Sequence, residues 1–583
     1  MVRERAERLL FMGFALAGFT LVLVRAAKVP LVHDEATSFL AYAQTGRFLP
    51  FASMWDANNH LLNSAAGHLG YRLFGLEPLS LRWASVLSYG LFAGVVFRLG
   101  RSLAHPMVRW SYLLACLGCP FLLDFFSLFR GYGPAMALFL CAMHQAHRFT
   151  VMGHARHLRW ALSCMALATG FLLALVPVWA LLLGVLLMGC RTRAALVQWG
   201  VLGGLPLLLA GALALQYARL GLLYHGSTEG FIPVSVGSLA LRVIGMDGTL
   251  PRAALLAPAA AAIGLLLWHA WWRRSSASPG FLAAVLLLGE ALLRILLAEA
   301  FGINHAEDRA ALHLLLAALL AVAAAADLFA ARIAWGGLAA MPLLALPACT
   351  VSIANLTHTV LWPEQSLPHR FAERVERLER VLSRPAVVGM HRLAGLPWSL
   401  ERRMRGGEGD GTAQDWPLGL NDARVVQHAQ LAAAGNGYAV ADSAPDQGLW
   451  LLMRQPAMRT EPVHDTLFSW EAAGQERSPS LGLPIGPIRS GGALVDISAS
   501  MRTGVNPAEL RLGIAVRDDE GAIIHGDLVF LSTRRAVWAG ESWRSVRPVP
   551  RLPRAVSAEV FLWSPAGEAY RLDEGRLRLL KVH

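Results

Sequence analysis

His33-Asp34-Glu35 sets an imidazole and two carboxylates directly after a long apolar run. At a membrane boundary such groups are costly unless they are solvated or used. A carboxylate in that position suits general-base work, taking a proton from a hydroxyl as it attacks. Asp34 is the candidate base, and Glu35 the group that orients it, shares its proton or meets a metal. Further along the same loop come Asn58-Asn59-His60-Leu61. Two more charged elements follow: Asp124 with Ser127-Leu128-Phe129-Arg130-Gly131-Tyr132, and Glu307-Asp308-Arg309-Ala310-Ala311-Leu312. Arg130 and Arg309 are the cations of these elements, and arginine's planar fork is of a kind that binds phosphate bidentately. Oxygen and imidazole ligands suit a divalent cation, so His33, Asp34, Glu35 and His305 are its candidate ligands, with a spacing that matches no known metal signature. Each residue has a plainer reading beside the chemical one. Asp34 and Glu35 would mark a solvated helix end, Arg130 and Arg309 would snorkel to headgroups, and Asp124 would cap a turn or pair with Arg130. Glu290 and Arg294, at i,i+4 inside an apolar run, read best as a pair that neutralises itself within a bundle.

These residues are spread over a chain of 583 residues that is 55% hydrophobic and 16% charged; soluble domains average about 25% charged. Residues 361–583 hold 53 of the 92 Asp, Glu, Lys and Arg. The chain therefore reads as a membrane-embedded part followed by a water-soluble one, which excludes a disordered, coiled-coil, collagenous or disulfide-stapled protein. The apolar run from Leu9 to about Ala27 is too long for a signal-peptide core and reads as a retained span. Further spans are expected near 79–99, 108–123, 132–149, 160–176, 178–190, 196–216, 253–271, 279–299, 310–326 and 333–353, about eleven in all, with the pair around Pro177 the least regular. With the N-terminus cytoplasmic, the inside loops carry fourteen arginines, from Arg3 to Arg273, Arg274 and Arg332, against seven Lys and Arg in the longer outside loops. That bias follows the positive-inside rule. It puts Asp34/Glu35, Asp124/Arg130 and Glu307/Asp308/Arg309 on one outer face, as a single site at the membrane–water boundary requires. The net charge of +12 is then a topology signal and not a nucleic-acid footprint. The six cysteines all lie in apolar stretches, none after Cys349, and the Cys116-x-x-Cys119 pair has no second pair to complete a metal or redox site.

Three regions are expected: a membrane domain over 1–353, whose first outside loop is 28–78; an α/β linker region over 354–460; and a β-sandwich, jelly-roll-like, over 461–583. In the linker, Phe371, Val375, Leu378 and Leu382 give helical spacing over 368–384. Ala386–Met390 and Leu449–Met453 read as strands, with the Gly-rich stretch 405–414 as a loop. Leu510, Leu512, Ile514 and Val516 then alternate with polar or small residues, and Asp519–Gly521 supplies a hairpin turn. Trp543 and Trp563 read as core side chains and not as a glycan platform.

The acidic pair after the first span, the Asn-His-Leu of the loop, the Leu73-Phe74-Gly75…Leu81-Arg82 run into the second span and the later Arg130 and Arg309 elements together resemble the GT-C glycosyltransferases. These are polytopic enzymes that include the protein O-mannosyltransferases and the lipid A aminoarabinose transferase. The resemblance covers roughly residues 1–350. His60-Leu61-Leu62 departs from the His-Pro-Pro-Leu common in the family. The resemblance implies transfer of a sugar, with inversion, from a polyprenyl-phosphate carrier to a glycan, lipid or protein acceptor outside the cytoplasm. Asp34 would be the base and Asp124 a second carboxylate. Asn59, His60, Arg130, Tyr132, Glu307, Asp308 and Arg309 would bind the substrates. The setting would be a bacterial inner membrane with the C-terminal domain periplasmic; nucleic acid is not an expected partner. The alternatives are a lipid or glycan transporter or flippase, and a non-catalytic assembly protein of envelope glycan synthesis. Unmatched halves and acidic residues at one boundary fit a transporter poorly.

Overall fold

The computed structural model describes residues 2–222, 226–273, 278–333, 335–407, 411–414, 419–434, 436–472, 475–502, 510–565, 567 and 569–583, without the side chains of 2–3, 411–414, 472 and 502. Arg274, the side chain of Arg3 and residues 408–410 of the Gly-rich stretch lie outside the described residues. The chain forms two compact units, Met1–Lys28 with Gly46–Leu356, and Val29–Thr45 with Thr357–His583. The loop 28–78 is thus shared: its first part belongs to the C-terminal unit and the rest to the helical one.

The helical unit is a polytopic bundle. Among the described residues, seven helices are long and apolar enough to cross a membrane: Glu4–Lys28, Pro78–Gly100, Arg193–Arg219, Thr249–Arg273, Pro279–Phe301, Asp308–Ala330 and Gly336–Ile353. Pro106–Leu117 and Pro120–Phe126, bent by 47°, make an eighth if taken as one broken span. The sequence reading counts about eleven, and the difference has a physical origin. Tyr132–Met152 carries His144, Gln145, His147 and Arg148 in its second half. Ala155–Phe171 is only 17 residues long, and Leu173–Gly189 is also too short for the length criterion. The two short helices are divided at Leu172, and Pro177 sits in the first turn of Val176–Gly189, where its missing N–H costs nothing. Helices approach closely through small residues: a Cβ on Gly280 would lie 2.1 Å from the Ala324 side chain, the packing that membrane helices use in place of a hydrophobic drive. The Leu312–Ala330 helix is largely buried, whereas Leu208 and Leu209 on Leu205–Arg219 are 72% and 65% exposed and suit a lipid-facing surface.

The C-terminal unit is α/β followed by all-β. The helix His369–Leu382 buries Phe371, Ala372 and Val375 along one stripe. It packs with a five-stranded sheet built from β1 (Val388–His391), β2 (Gly411–Gln414), β3 (Ala423–Gln427), β4 (Tyr438–Ala444) and β5 (Leu449–Arg454), in the order β2-β1-β3-β5-β4. β2 pairs parallel with β1, so part of the stretch expected to be a loop is a strand.

The sandwich uses β6 (Thr460–Ala472), β7 (Leu481–Gly482), β8 (Ala493–Arg502), β9 (Arg511–Arg517), β10 (Ile523–Phe530), β11 (Ser542–Val549), β12 (Ser557–Trp563) and β13 (Tyr570–Val582). Two four-stranded antiparallel sheets, β10-β9-β12-β7 and β11-β8-β13-β6, share one core. Leu512, Ile514 and Val516 of β9 face Val495, Ile497 and Ala499 of β8 in that core, as a period of two dictates. The β9–β10 hairpin turns at Gly521, whose φ of 80° favours glycine. Trp543 is buried in the core as expected. Trp563 is not a core residue: it stands on the outward face of β12, half-buried, with the Arg511 guanidinium 4.7 Å from its ring centroid. Its odd register against Val560 and Leu562 turns it outward.

Candidate active site in the helical unit

The site grows from a turn between two helices. Pro120–Phe126 ends at Ser127, whose N–H bonds the Asp124 carbonyl at 2.9 Å. The chain then turns through Arg130 and re-enters a helix at Tyr132. Gly131 is required at that turn: a Cβ there would lie 2.1 Å from the Phe171 carbonyl oxygen and 3.1 Å from the His60 Cβ. Arg130 is 1% exposed. It donates from Nη2 to the Asn58 Oδ1 at 2.6 Å and from Nη1 to the Asn58 carbonyl at 3.3 Å. Asn58 is itself braced, its N–H donating to Asp56 at 2.8 Å.

Tyr132 joins the later clusters to this turn. Its ring lies 5.7 Å from the Arg130 guanidinium carbon and 4.9 Å, edge-on, from the His60 ring. Its hydroxyl accepts from Arg309 Nε at 3.0 Å. Arg130 and Arg309, 179 positions apart in the sequence, therefore meet on one tyrosine. His60 is fixed through Nδ1, 2.8 Å from the Phe171 carbonyl. Asn59 braces the loop: its amide donates to the Phe48 carbonyl at 2.8 Å and its Oδ1 accepts from Ser64 at 2.9 Å.

Arg309 is aimed by an unusual turn. Asp308 has φ 54°, the left-handed region that a non-glycine residue rarely occupies. Its N–H donates to Ser238 at 2.7 Å, and its Oδ2 accepts from Arg242 Nε and Nη2 at 3.0 and 2.8 Å. The Asp308 carboxylate is thus engaged by Arg242, and its place is behind Arg309. Glu307 is exposed and caps the single turn Asp308–Ala311. Asp124 is buried and receives Arg25 of the first span at 2.5 Å; Arg25 also donates to the Asn355 carbonyl.

Beside Tyr132 opens a cavity of about 320 Å³, mostly apolar, whose polar lining includes Asn59, His60, Tyr132, Arg294, Asn304 and His305. His305 is 2% exposed, and burial pushes its imidazole below the usual histidine range. Arg294 and Glu290 pair at 2.7 Å as their spacing predicts, and His313 joins them, its Nε2 2.6 Å from the same Glu290 oxygen.

In the C-terminal unit, His33-Asp34-Glu35 opens the six-residue helix His33–Ser38. Glu35 is fully buried and its Oε2 accepts the Val32 N–H at 3.1 Å, closing its own helix start. The His33 N–H donates to Gln365 at 3.2 Å, and burial lowers the imidazole pKa. Asp34 is half-buried at the second position of this helix. Among the described residues no group of three or more His, Cys, Asp or Glu is arranged to hold a metal ion, so the candidates His33, Asp34, Glu35 and His305 form no such cluster.

No family model matches the chain, and no curated protein matches its sequence. Solved structures do. ArnT from Cupriavidus metallidurans bound to undecaprenyl phosphate is similar at 15% identity with a TM-score of 0.43, over 77% of this chain and 98% of that one. The arabinosyltransferase EmbB from Mycobacterium smegmatis is similar at 13% identity and a TM-score of 0.38, over 98% of this chain and 64% of that one. The Archaeoglobus fulgidus oligosaccharyltransferase in complex with Zn and sulfate is similar at 10% identity and a TM-score of 0.38, over 96% of this chain and 97% of that one.

Three residues of the site escape a reading of motifs alone: Arg25, Arg242 and His313. Arg25 and His313 carried a usable signal, a polar side chain inside an apolar run. Arg242 carried none, because it acts through Asp308, more than sixty positions away.

Proposed function

We propose that the protein is a membrane glycosyltransferase that moves a sugar from a polyprenyl-phosphate donor to an acceptor outside the cytoplasm. The observation that carries this reading is the meeting of Arg130 and Arg309 on Tyr132, beside an apolar cavity that His60 and Tyr132 also line. Two guanidinium groups are suited to a leaving phosphate, and an apolar cavity next to them is suited to a polyprenyl chain.

In this reaction the acceptor hydroxyl oxygen bonds to the anomeric carbon, and the bond from that carbon to the phosphate oxygen breaks. The electron pair stays on the lipid phosphate, where Arg130 and Arg309 stabilise the growing charge. The hydroxyl proton passes to Asp34, the general base. Glu35 holds the short helix that carries Asp34. Asp124 acts as the counter-charge of Arg25, and Asp308 as the group that aims Arg309. His60 positions the sugar. A divalent cation, if the reaction uses one, would draw on the carboxylates of the Asp34 segment. The bundle sits in a bacterial inner membrane with the C-terminal unit on the periplasmic side.

The test is sugar transfer by the full chain in lipid nanodiscs, supplied with a panel of labelled polyprenyl-phosphate sugars. Release of polyprenyl phosphate is expected with one of them, and Asp34→Asn is expected to abolish it while the protein still inserts. Near-normal turnover by Asp34→Asn removes Asp34 from the mechanism. Silence of the wild-type chain with every donor overturns the reading.

A further inference from the structure

We infer that Arg294 is a third anion-binding side chain, held at the wall of the apolar cavity by Glu290 and His313, and that it selects a phosphorylated lipid over its uncharged alcohol. This rests on the donor class proposed above. Glu290, Arg294 and His313 lie on two apolar spans and are 1%, 7% and 1% exposed. A lone helix pair of Glu and Arg needs no third partner, yet the structure supplies one. Glu290 Oε1 accepts from Arg294 Nε at 2.7 Å and from His313 Nε2 at 2.6 Å. Arg294 Nη2 donates to the Ala174 carbonyl at 2.8 Å. Two groups, Glu290 and the Ala174 carbonyl, thus hold the guanidinium directly, and His313 holds Glu290. Among the described residues Nη1 has no hydrogen-bond partner in the chain, and Arg294 lines the cavity.

Charge balance points the same way. Glu290 offsets Arg294 and is itself held by His313 Nε2 at 2.6 Å. Arg294 lines the cavity, and Glu290 and His313 do not. A buried cation without a counter-charge would be too costly to keep. Glu290 makes Arg294 tenable, and His313 keeps Glu290 from swinging forward to cancel it. Glu290 and His313 are positioning residues; Arg294 is the one that meets the ligand. A guanidinium on an otherwise greasy wall recognises an amphiphile with an anionic head, and the neighbouring His60 and Tyr132 put that head near the candidate reaction centre.

The experiment compares binding of undecaprenyl phosphate and undecaprenol to the full chain in nanodiscs, with inorganic phosphate as competitor. The wild type is expected to prefer the phosphate at least tenfold, and inorganic phosphate not to displace it. The double variant Glu290→Gln/Arg294→Gln removes one charge of each sign together. It is expected to bind both lipids alike, with an unchanged thermal midpoint. Glu290→Gln alone and His313→Phe are expected to raise KM for the donor more than they lower kcat. A double variant that keeps the phosphate preference overturns the role of Arg294 and leaves the transferase reading standing. A wild type that binds the two lipids equally overturns both. Displacement by inorganic phosphate would mark a free-anion site and overturn the lipid assignment. Equal changes in KM and kcat for His313→Phe would reduce His313 to a packing role and overturn its positioning.

Discussion

The two units differ in where much of their charge sits. In the helical unit Arg25, Arg130 and Arg294 are almost fully buried, Arg25 meeting Asp124, Arg130 meeting Asn58, and Arg294 meeting Glu290 one helical turn away and the Ala174 carbonyl. In the C-terminal unit ion pairs such as Arg370–Asp442 and Arg576–Asp465 sit with arginines that are 50% and 51% exposed. Water solvates those pairs, so they latch neighbouring strands and helices and contribute little. In an apolar bundle nothing solvates a charge, so every one that is kept must be paired, and its partner is part of whatever it does. A buried charge in the bundle is a guide to function, and the exposed pairs of the C-terminal unit are ordinary surface, although that unit buries Arg384–Asp422 as well.

The largest effect is expected where a buried pair is broken. Arg25→Ala would break the buried Arg25–Asp124 pair and cost about 3–5 kcal/mol, read as a drop in the thermal midpoint in nanodiscs. Adding Asp124→Ala should recover most of that loss and retain sugar transfer. If the double variant is stable but inactive, Asp124 has a chemical role and the counter-charge reading fails. Next is Arg130→Lys, which keeps the charge but cannot bridge the Asn58 carbonyl and Oδ1 together. A loss of about 10²-fold in kcat/KM is expected, comparable to removal of one preorganised donor; activity within threefold of wild type would make Arg130 a mere anchor.

The smallest effect belongs to the exposed pairs. Burial works to raise the Asp442 carboxyl, but Arg370 and Arg374 outweigh it and hold it below the usual carboxylate range. A carboxyl depressed on folding adds stability above its ordinary pKa and loses it as the pH falls through the folded value. Asp442→Asn should therefore flatten the acid limb of the unfolding midpoint and leave sugar transfer at neutral pH unchanged. A change in transfer at neutral pH would erase the contrast between the units.

How much of this was legible in the sequence follows the same division. Periodicity alone dictated the sandwich strands, because Leu512, Ile514 and Val516 can share a core only if their neighbours face out. Apolar length marked about eleven spans, and among the described residues seven helices, or eight with the bent pair, are long and apolar enough by length and composition, since Tyr132–Met152 mixes apolar and polar residues and two helices are short. Arg130, Tyr132 and Arg309 stood out by type, and their meeting required the packed bundle. Trp563 was misjudged because one step of register separates the core face of β12 from its outer face. Arg242, in the last turn of the helix Gly237–Ile244, is an ordinary charged residue until its partner Asp308 is known.

The most direct measurement is photolabelling of the full chain in nanodiscs with a diazirine-bearing polyprenyl phosphate, read by peptide mapping. The account predicts labelling of 57–61, 169–177 and 303–310, competed by unlabelled polyprenyl phosphate. Labelling confined to lipid-facing positions such as Leu208 and Leu209, or labelling that competitor does not reduce, would contradict it.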